Sequence, residues 1–180
     1  MHGRRAAERG SVGQRRGLEV EVAALAKLQS NRGAESLRLE FIDRRDCGPD
    51  PGADCNVMLT GSNWSEGEPK PVRADLGCLH LSLVAVSALA AELERWVGLP
   101  LERLAMEPLE CEYDLAFAPT SELRLCFGKR ADTISDRKPV VTAAFSIGAF
   151  NGELHFVTDQ SCVAEFVAGL REAQRAIGHG

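Results

Sequence analysis

The chain has 180 residues, 44% of them apolar, and a formal net charge of −5. This suits one domain with a real core, and no run is long and apolar enough to cross a bilayer as a helix. The charge is divided: residues 1–33 carry seven Lys and Arg against three Asp and Glu, and the remainder fourteen against twenty-three. The acidic body lacks the basic face that phosphate contacts need, so neither nucleic acid nor membrane is an expected partner.

Residues 1–17 are basic, rich in Gly and nearly free of large apolar groups. Such a segment buries too little surface to offset its ordering entropy. A basic arm on nucleic acid is the sharper alternative. No apolar run follows the arginines, so a secretory signal is not expected and the expected location is cytoplasmic. A short helix is predicted over residues 18–29, where Leu18, Val22, Leu25 and Leu28 share a stripe. The division is thus a basic tail, 1–33, and a single folded domain, 34–180.

Residues 37–43 alternate and predict a strand. Residues 44–54, rich in Gly, Pro and Asp, predict a loop. Further strands are expected at 55–61 and 76–83, separated by a polar connection with two prolines at 62–74. In the third strand Leu79, Leu81 and Leu83 share a face. The period then changes, and Leu89, Ala90, Leu93, Trp96 and Val97 define a helix from Ser87 to Val97. Ser87 is the expected cap, and Gly98 with Pro100 ends the helix.

Four strands follow as a meander. Residues 109–117 place Leu109, Cys111, Tyr113, Leu115 and Phe117 on one face, and residues 121–127 place Leu123, Leu125 and Phe127 inward. A three-residue turn at 118–120 sets Asp114 opposite Arg124, Glu112 opposite Cys126 and Glu110 opposite Gly128. After a charged loop at 128–138, residues 140–149 and 153–157 form a hairpin. Asn151-Gly152 is the preferred pair for a two-residue turn. It sets Ile147 opposite Phe156 and Ala149 opposite Leu154. The chain closes with a helix from about Ser161 to Ile177, its stripe formed by Cys162, Val163, Phe166, Val167 and Leu170. The order predicts an α+β fold: an antiparallel sheet of about six to seven strands, ending in a four-strand meander, with two main helices packed on it.

The six cysteines, Cys47, Cys55, Cys78, Cys111, Cys126 and Cys162, include no C-x-x-C pair, and all are expected as reduced thiols. No phosphate loop, dinucleotide fingerprint or zinc-finger spacing is present. Of the four histidines, His2 and His179 stand at the ends of the chain and only His80 and His155 lie within the predicted strands and helices of the folded body, so no multi-histidine metal site fits one chain. Asp46, Asp50 and Asp54 recur at a spacing that does not match a calcium loop. Neither metal nor cofactor is expected.

Two candidate sites remain. Cys162 begins the last helix, where the dipole lowers a thiol pKa, and His155 and Asp159 are near in sequence, so the three suggest a nucleophile with its base. Against this, Cys162 lies on the buried stripe and Asp159 is placed to cap the helix. The second candidate is the outer face of strand 109–117. There Glu110, Glu112 and Asp114 recur about 7 Å apart, and in the deduced register Arg124 is offered to Asp114. Such a row suits a contact with a basic partner; carboxylate acid–base chemistry and a plain solvated face are the alternatives.

The order of elements resembles that of WapI-type immunity proteins of bacterial toxin systems across residues 37–177. The similarity lies in the early hairpin, the tryptophan-bearing helix LAAELERWVGL and the connection Met106-Glu107-Pro108-Leu109 into an acidic alternating strand. The meander and terminal amphipathic helix complete it. The resemblance implies a non-enzymatic protein binder that neutralises a basic toxin domain by contact, with no catalytic residues. The competing expectations are an enzyme centred on Cys162, His155 or a strand carboxylate, and a structural or oligomerising domain.

Overall fold

Alternation of large apolar residues at period two dominates the chain between residues 24 and 157, and pairing those strands is how it hides them. The computed structural model describes residues 22–47, 50–65, 68–104, 106–116, 121–128 and 138–178, with the side chains of 43–50 and 63–69 left out. The strands are β1 (Ala24–Gln29), β2 (Ser36–Cys47), β3 (Asp50–Ser65), β4 (Glu68–Ser82), β5 (Cys111–Asp114), β6 (Ser121–Gly128), β7 (Val140–Ile147) and β8 (Phe150–Val157). They form two antiparallel sheets of four, in orders β1-β2-β3-β4 and β5-β6-β7-β8. Helix α1 (Leu83–Val97) and the short α2 (Leu101–Leu104) join the sheets, and α3 (Gln160–Gly178) ends the chain. The α+β class holds. Among the described residues the strands number eight rather than about six to seven, and they divide between two sheets instead of building one.

The sheets are tied at both ends. Leu81 on β4 bridges to Ala116 just after β5, and Ser82 N–H donates to Leu115 C=O at 2.9 Å. At the opposite end Asn31 N–H donates to Val157 C=O at 3.0 Å, while the buried Thr158 hydroxyl donates to Gln29 C=O at 2.8 Å. The inward faces of both sheets and the apolar stripes of α1 and α3 merge into one core, with Phe41, Leu81, Leu89, Trp96, Leu125 and Phe166 among its largest members.

Four expectations are corrected. Residues 24–29 are strand, not helix, so the folded body begins within the predicted basic tail. LAKLQ satisfies both periods, and pairing along β2, from Ala24↔Phe41 to Gln29↔Ser36, decides between them by burying Ala24, Ala26 and Leu28 together. Residues 1–17 lie outside the described residues.

The described parts of the two predicted loops are strand: residues 44–47 pair with 50–53 between β2 and β3, and 62–65 pair with 68–71 between β3 and β4, while 48–49 and 66–67 lie outside the described residues. Pro69 and Pro71 sit on β4, an edge of its sheet, where a missing N–H is tolerated. Pro51 precedes Gly52, the first β3 residue to pair with β4, so its absent donor faces no partner strand there.

Helix α1 starts four residues earlier than expected. Ser82, not Ser87, is the cap: its hydroxyl accepts from Ala85 N–H at 3.1 Å. The far end of α1 is capped from a distance, since the Gln160 amide donates to Val97 C=O at 2.8 Å and to Leu99 C=O at 3.0 Å. Arg171 on α3 pairs with Glu94 on α1 at 2.5 Å.

The last hairpin turns at Gly148-Ala149, not at Asn151-Gly152. Ile147 faces Phe150, Ala143 faces Leu154 and Val141 faces Phe156. Gly148 takes φ +59°, which a tight turn demands and a side chain resists. The partner of Ile147 thereby moves six residues along β8. An even shift leaves every side chain on the same face, so the alternation fits both registers equally. The correct one also lets Gly152 lie beneath the Phe145 ring, whose nearest atom is 2.7 Å from where a Cβ would stand.

Candidate functional site

The first meander register is as deduced: Glu112 faces Cys126 and Asp114 faces Arg124. The turn at 118–120 itself lies outside the described residues. Continuing across the sheet, Arg124 faces Ala144 and Ala144 faces Glu153. One outer row thus reads Asp114–Arg124–Ala144–Glu153. The next reads Glu112–Cys126–Thr142–His155, and a third sets Glu122, Ser146 and Asn151 side by side. The opposite faces of these strands supply Leu123, Leu125, Phe127, Val141, Ala143 and Phe156 to the core.

This outer face is a polar surface gathered around one guanidinium. Arg124 Nε donates to Asp114 at 2.7 Å, and Arg124 also reaches Glu112 at 3.2 Å. Glu112 is therefore not without a cation, as the cross-strand position alone suggested; the long arginine spans the diagonal as well as the direct pair. Hydrogen bonding to Asp114, followed by the charges of Asp114 and Glu112, raises the Arg124 pKa further above its ordinary value. Glu110, just before β5, is exposed. Glu122 and Glu153 join the face, bordering a shallow depression of about 450 Å³ with Arg124, Ser146 and Asn151. Neither was singled out from the sequence. Both were recoverable as outward residues by alternation, but placing Glu153 in the row of Arg124 needed the correct β7–β8 register.

The thiol candidate does not assemble. Cys162 is buried, and its pKa is raised by burial and then by the charge of Asp159. Asp159 caps α3: its Oδ1 accepts from Ser161 N–H at 3.1 Å, Cys162 N–H at 3.1 Å and the Ser161 hydroxyl at 2.6 Å. Those bonds hold its carboxyl below the usual range. His155 is on the outer face of β8, with Nδ1 2.9 Å from Thr142 Oγ1 and Nε2 3.0 Å from Glu153. A helix N-terminus lowers a thiol pKa and apolar burial raises it; at Cys162 the direction is upward. Cys126 is raised by burial and by Glu112, and burial pushes the Cys111 thiol up to about 12.

A further pair, Asp54 on β3 and His80 on β4, lies directly cross-strand with Oδ1 3.2 Å from Nδ1. The imidazole occupies the space above Gly52, where a Cβ would stand 2.1 Å from Nε2. Among the described residues no cluster of three or more His, Cys, Asp and Glu could hold a metal ion. The side chains of Asp46 and Asp50 lie outside the described residues. No helix there is long and apolar enough to cross a membrane.

No protein-family model matches the chain, and no curated protein matches it. Among solved structures it is similar to the plant transcriptional regulator PBF-2, at 10% identity over 88% of this chain and 84% of that one, with a TM-score of 0.45. That likeness carries no argument about what this chain does.

Proposed function

We propose that the chain is a non-catalytic protein-binding domain that presents the outer face of β5–β8 to a basic partner. The observation that carries this is the set Glu112, Asp114, Glu122 and Glu153 gathered around Arg124 on one exposed surface. Glu110 extends the set at the rim. Clustered like charges on a partly neutralised face cost folding free energy, and an incoming cation relieves it. Complementary potentials of this kind mainly raise the association rate and weaken as salt screens them. In the narrower form of the proposal, the partner is a bacterial toxin domain neutralised by contact, as the resemblance to WapI-type immunity proteins implies.

The test is to recover the natural partner from the source cell by pull-down and then measure binding kinetics for Glu110→Lys/Glu112→Lys. Both side chains point to solvent, so circular dichroism should be unchanged. The double variant should associate about tenfold more slowly at low salt and show a flatter salt dependence. An unchanged rate and salt slope in a folded double variant would mean that the face is only a solvated surface.

A further inference from the structure

Strand β8 is the outer strand of its sheet, and its register says which main-chain groups look outward. A two-residue turn at Gly148-Ala149 makes Ile147 and Phe150 a hydrogen-bonded pair. Bonded and non-bonded pairs then alternate, so Gly152, Leu154 and Phe156 bond to β7. Asn151, Glu153, His155 and Val157 direct N–H and C=O away from it. The acceptance of Asn31 N–H by Val157 C=O, from outside the sheet, confirms this parity. Asn31 closes that end of the edge. Among the described residues no main-chain group bonds to the outward groups of Asn151, Glu153 and His155.

The space beside this open stretch is shaped. A groove of about 340 Å³ runs between Gly152–Leu154 and the surface of β3 and β4, and Leu59, Val72, Ala74 and Phe145 supply its apolar lining. Val72 is 48% exposed there. Gly61 keeps β3 close to β8, since a Cβ would meet Leu154 Cδ1 at 2.8 Å. Lys70, on the same face of β4 as Val72 and Ala74, bounds the apolar strip. On the outer side the row Asp114–Arg124–Ala144–Glu153 ends in a carboxylate whose side-chain neighbour is the imidazole of His155, with Nε2 at 3.0 Å, and no Lys or Arg of the described residues is ion-paired with it.

We propose that β8 receives an extended segment of the basic partner by strand addition, with Lys or Arg opposite Glu153 and apolar side chains at the two flanking positions. Main-chain bonds to Asn151, Glu153 and His155 supply affinity, and the alternation supplies selectivity. The cation completes the Glu153 row, and the flanking side chains turn inward onto Leu59, Val72 and Ala74. Charge decides against a second copy as occupant. The self-paired register that uses all three edge residues sets Glu153 against the same residue of its copy, and like charges directly opposite are destabilising. The chemistry of the segment rests in part on the acidic-face proposal; the open edge does not.

The probe is a blocked, fluorescein-labelled peptide, Thr-Val-Lys-Val-Thr, titrated against the full chain by anisotropy, with amide exchange followed by NMR. Saturable binding below about 1 mM is expected. The Asn151, Glu153 and His155 amides should slow at least several-fold, while Phe150, Gly152 and Leu154, already bonded to β7, should not change. Methylating the central peptide nitrogen should abolish binding. Glu153→Lys should weaken the peptide about fivefold and favour its Glu-centred counterpart. Binding that leaves the three edge amides unprotected, or that survives methylation, overturns the proposal. So does concentration-dependent dimerisation that protects the same amides without peptide. If strand addition fails here while Glu110→Lys/Glu112→Lys still slows the natural partner, the acidic face stands and only its extension to β8 falls.

Discussion

Gly169 sets how closely α3 can lie on β1, and replacing it opposes two effects of known sign. A Cβ at this position would stand 2.4 Å from Leu25 O, 2.7 Å from Ala26 Cα and 3.0 Å from Ala26 Cβ. The first two are main-chain atoms of a paired strand, which no rotamer change can move. Ordinary contact requires about 3.5 Å, so α3 must withdraw by about 1 Å. That withdrawal loosens Phe166, Leu170 and Ala173, all fully buried on the same helix. Overpacking costs about 1–3 kcal/mol, and because the two nearest atoms here are fixed main chain the upper half of that range applies, about 2–3 kcal/mol. Helix propensity pulls the other way, favouring Ala over Gly by about 1 kcal/mol. Gly169→Ala should therefore lose about 1–2 kcal/mol net, measured by urea unfolding, with Tm lower by about 2–8 °C. Ala168→Gly, at the exposed neighbouring position, calibrates the propensity alone and should cost about 1 kcal/mol. If Gly169→Ala is neutral or stabilising while Ala168→Gly behaves as stated, α3 does not press on β1 and the packing of residues 24–29 is wrong.

Trp96→Ala should cost about 3–5 kcal/mol by denaturant unfolding, because the ring is only 2% exposed in the core; a loss under about 1 kcal/mol would put the ring at the surface. Cys162 should label slowly with a thiol reagent in the native protein and quickly in denaturant, burial and Asp159 both disfavouring its thiolate; rapid native labelling at neutral pH would revive the nucleophile. Asp159→Ala should cost about 1 kcal/mol at pH 7 through loss of the α3 cap. Its folded carboxyl is held below the usual range by Ser161 and the Cys162 N–H, so the wild-type advantage is complete above about pH 4 and is lost as pH falls through the depressed folded value. Stability–pH curves that stay parallel down to about pH 2 would show that Asp159 carries no such linkage.

The strand faces were legible wherever alternation was backed by burial on one side only. Leu37, Leu39 and Phe41, and likewise Leu123, Leu125 and Phe127, point inward as their spacing required. Misreadings occurred where a local signal was satisfied by more than one long-range arrangement. LAKLQ fits helix and strand alike, and only the presence of β2 beside it decides. Gly, Pro and Asp between residues 44 and 54 resembled a loop because turn propensity is local, whereas the hairpin they extend is held by pairing along two strands. Ser82 was hidden as a cap because it also completes β4, so one residue serves both elements.

The same logic divides the candidate site. The register that joins Asp114 and Glu112 to Arg124 is legible because the connection between the two strands is short and their alternation leaves little freedom. The register of Glu153 is not, because two turn-forming pairs three residues apart, Gly148-Ala149 and Asn151-Gly152, compete for the hairpin, and moving the turn by three residues shifts the pairing by six. The alternation cannot separate these registers, since both keep Leu154 and Phe156 inward. What separates them is volume: Gly152 opposite Phe145 lets the aromatic ring lie across the strand. A glycine in the favoured second position of a turn is therefore better read here as the space beneath a neighbouring ring. That choice of register brings Glu153 into the row with Asp114 and Arg124, and it also fixes which amides of β8 look outward.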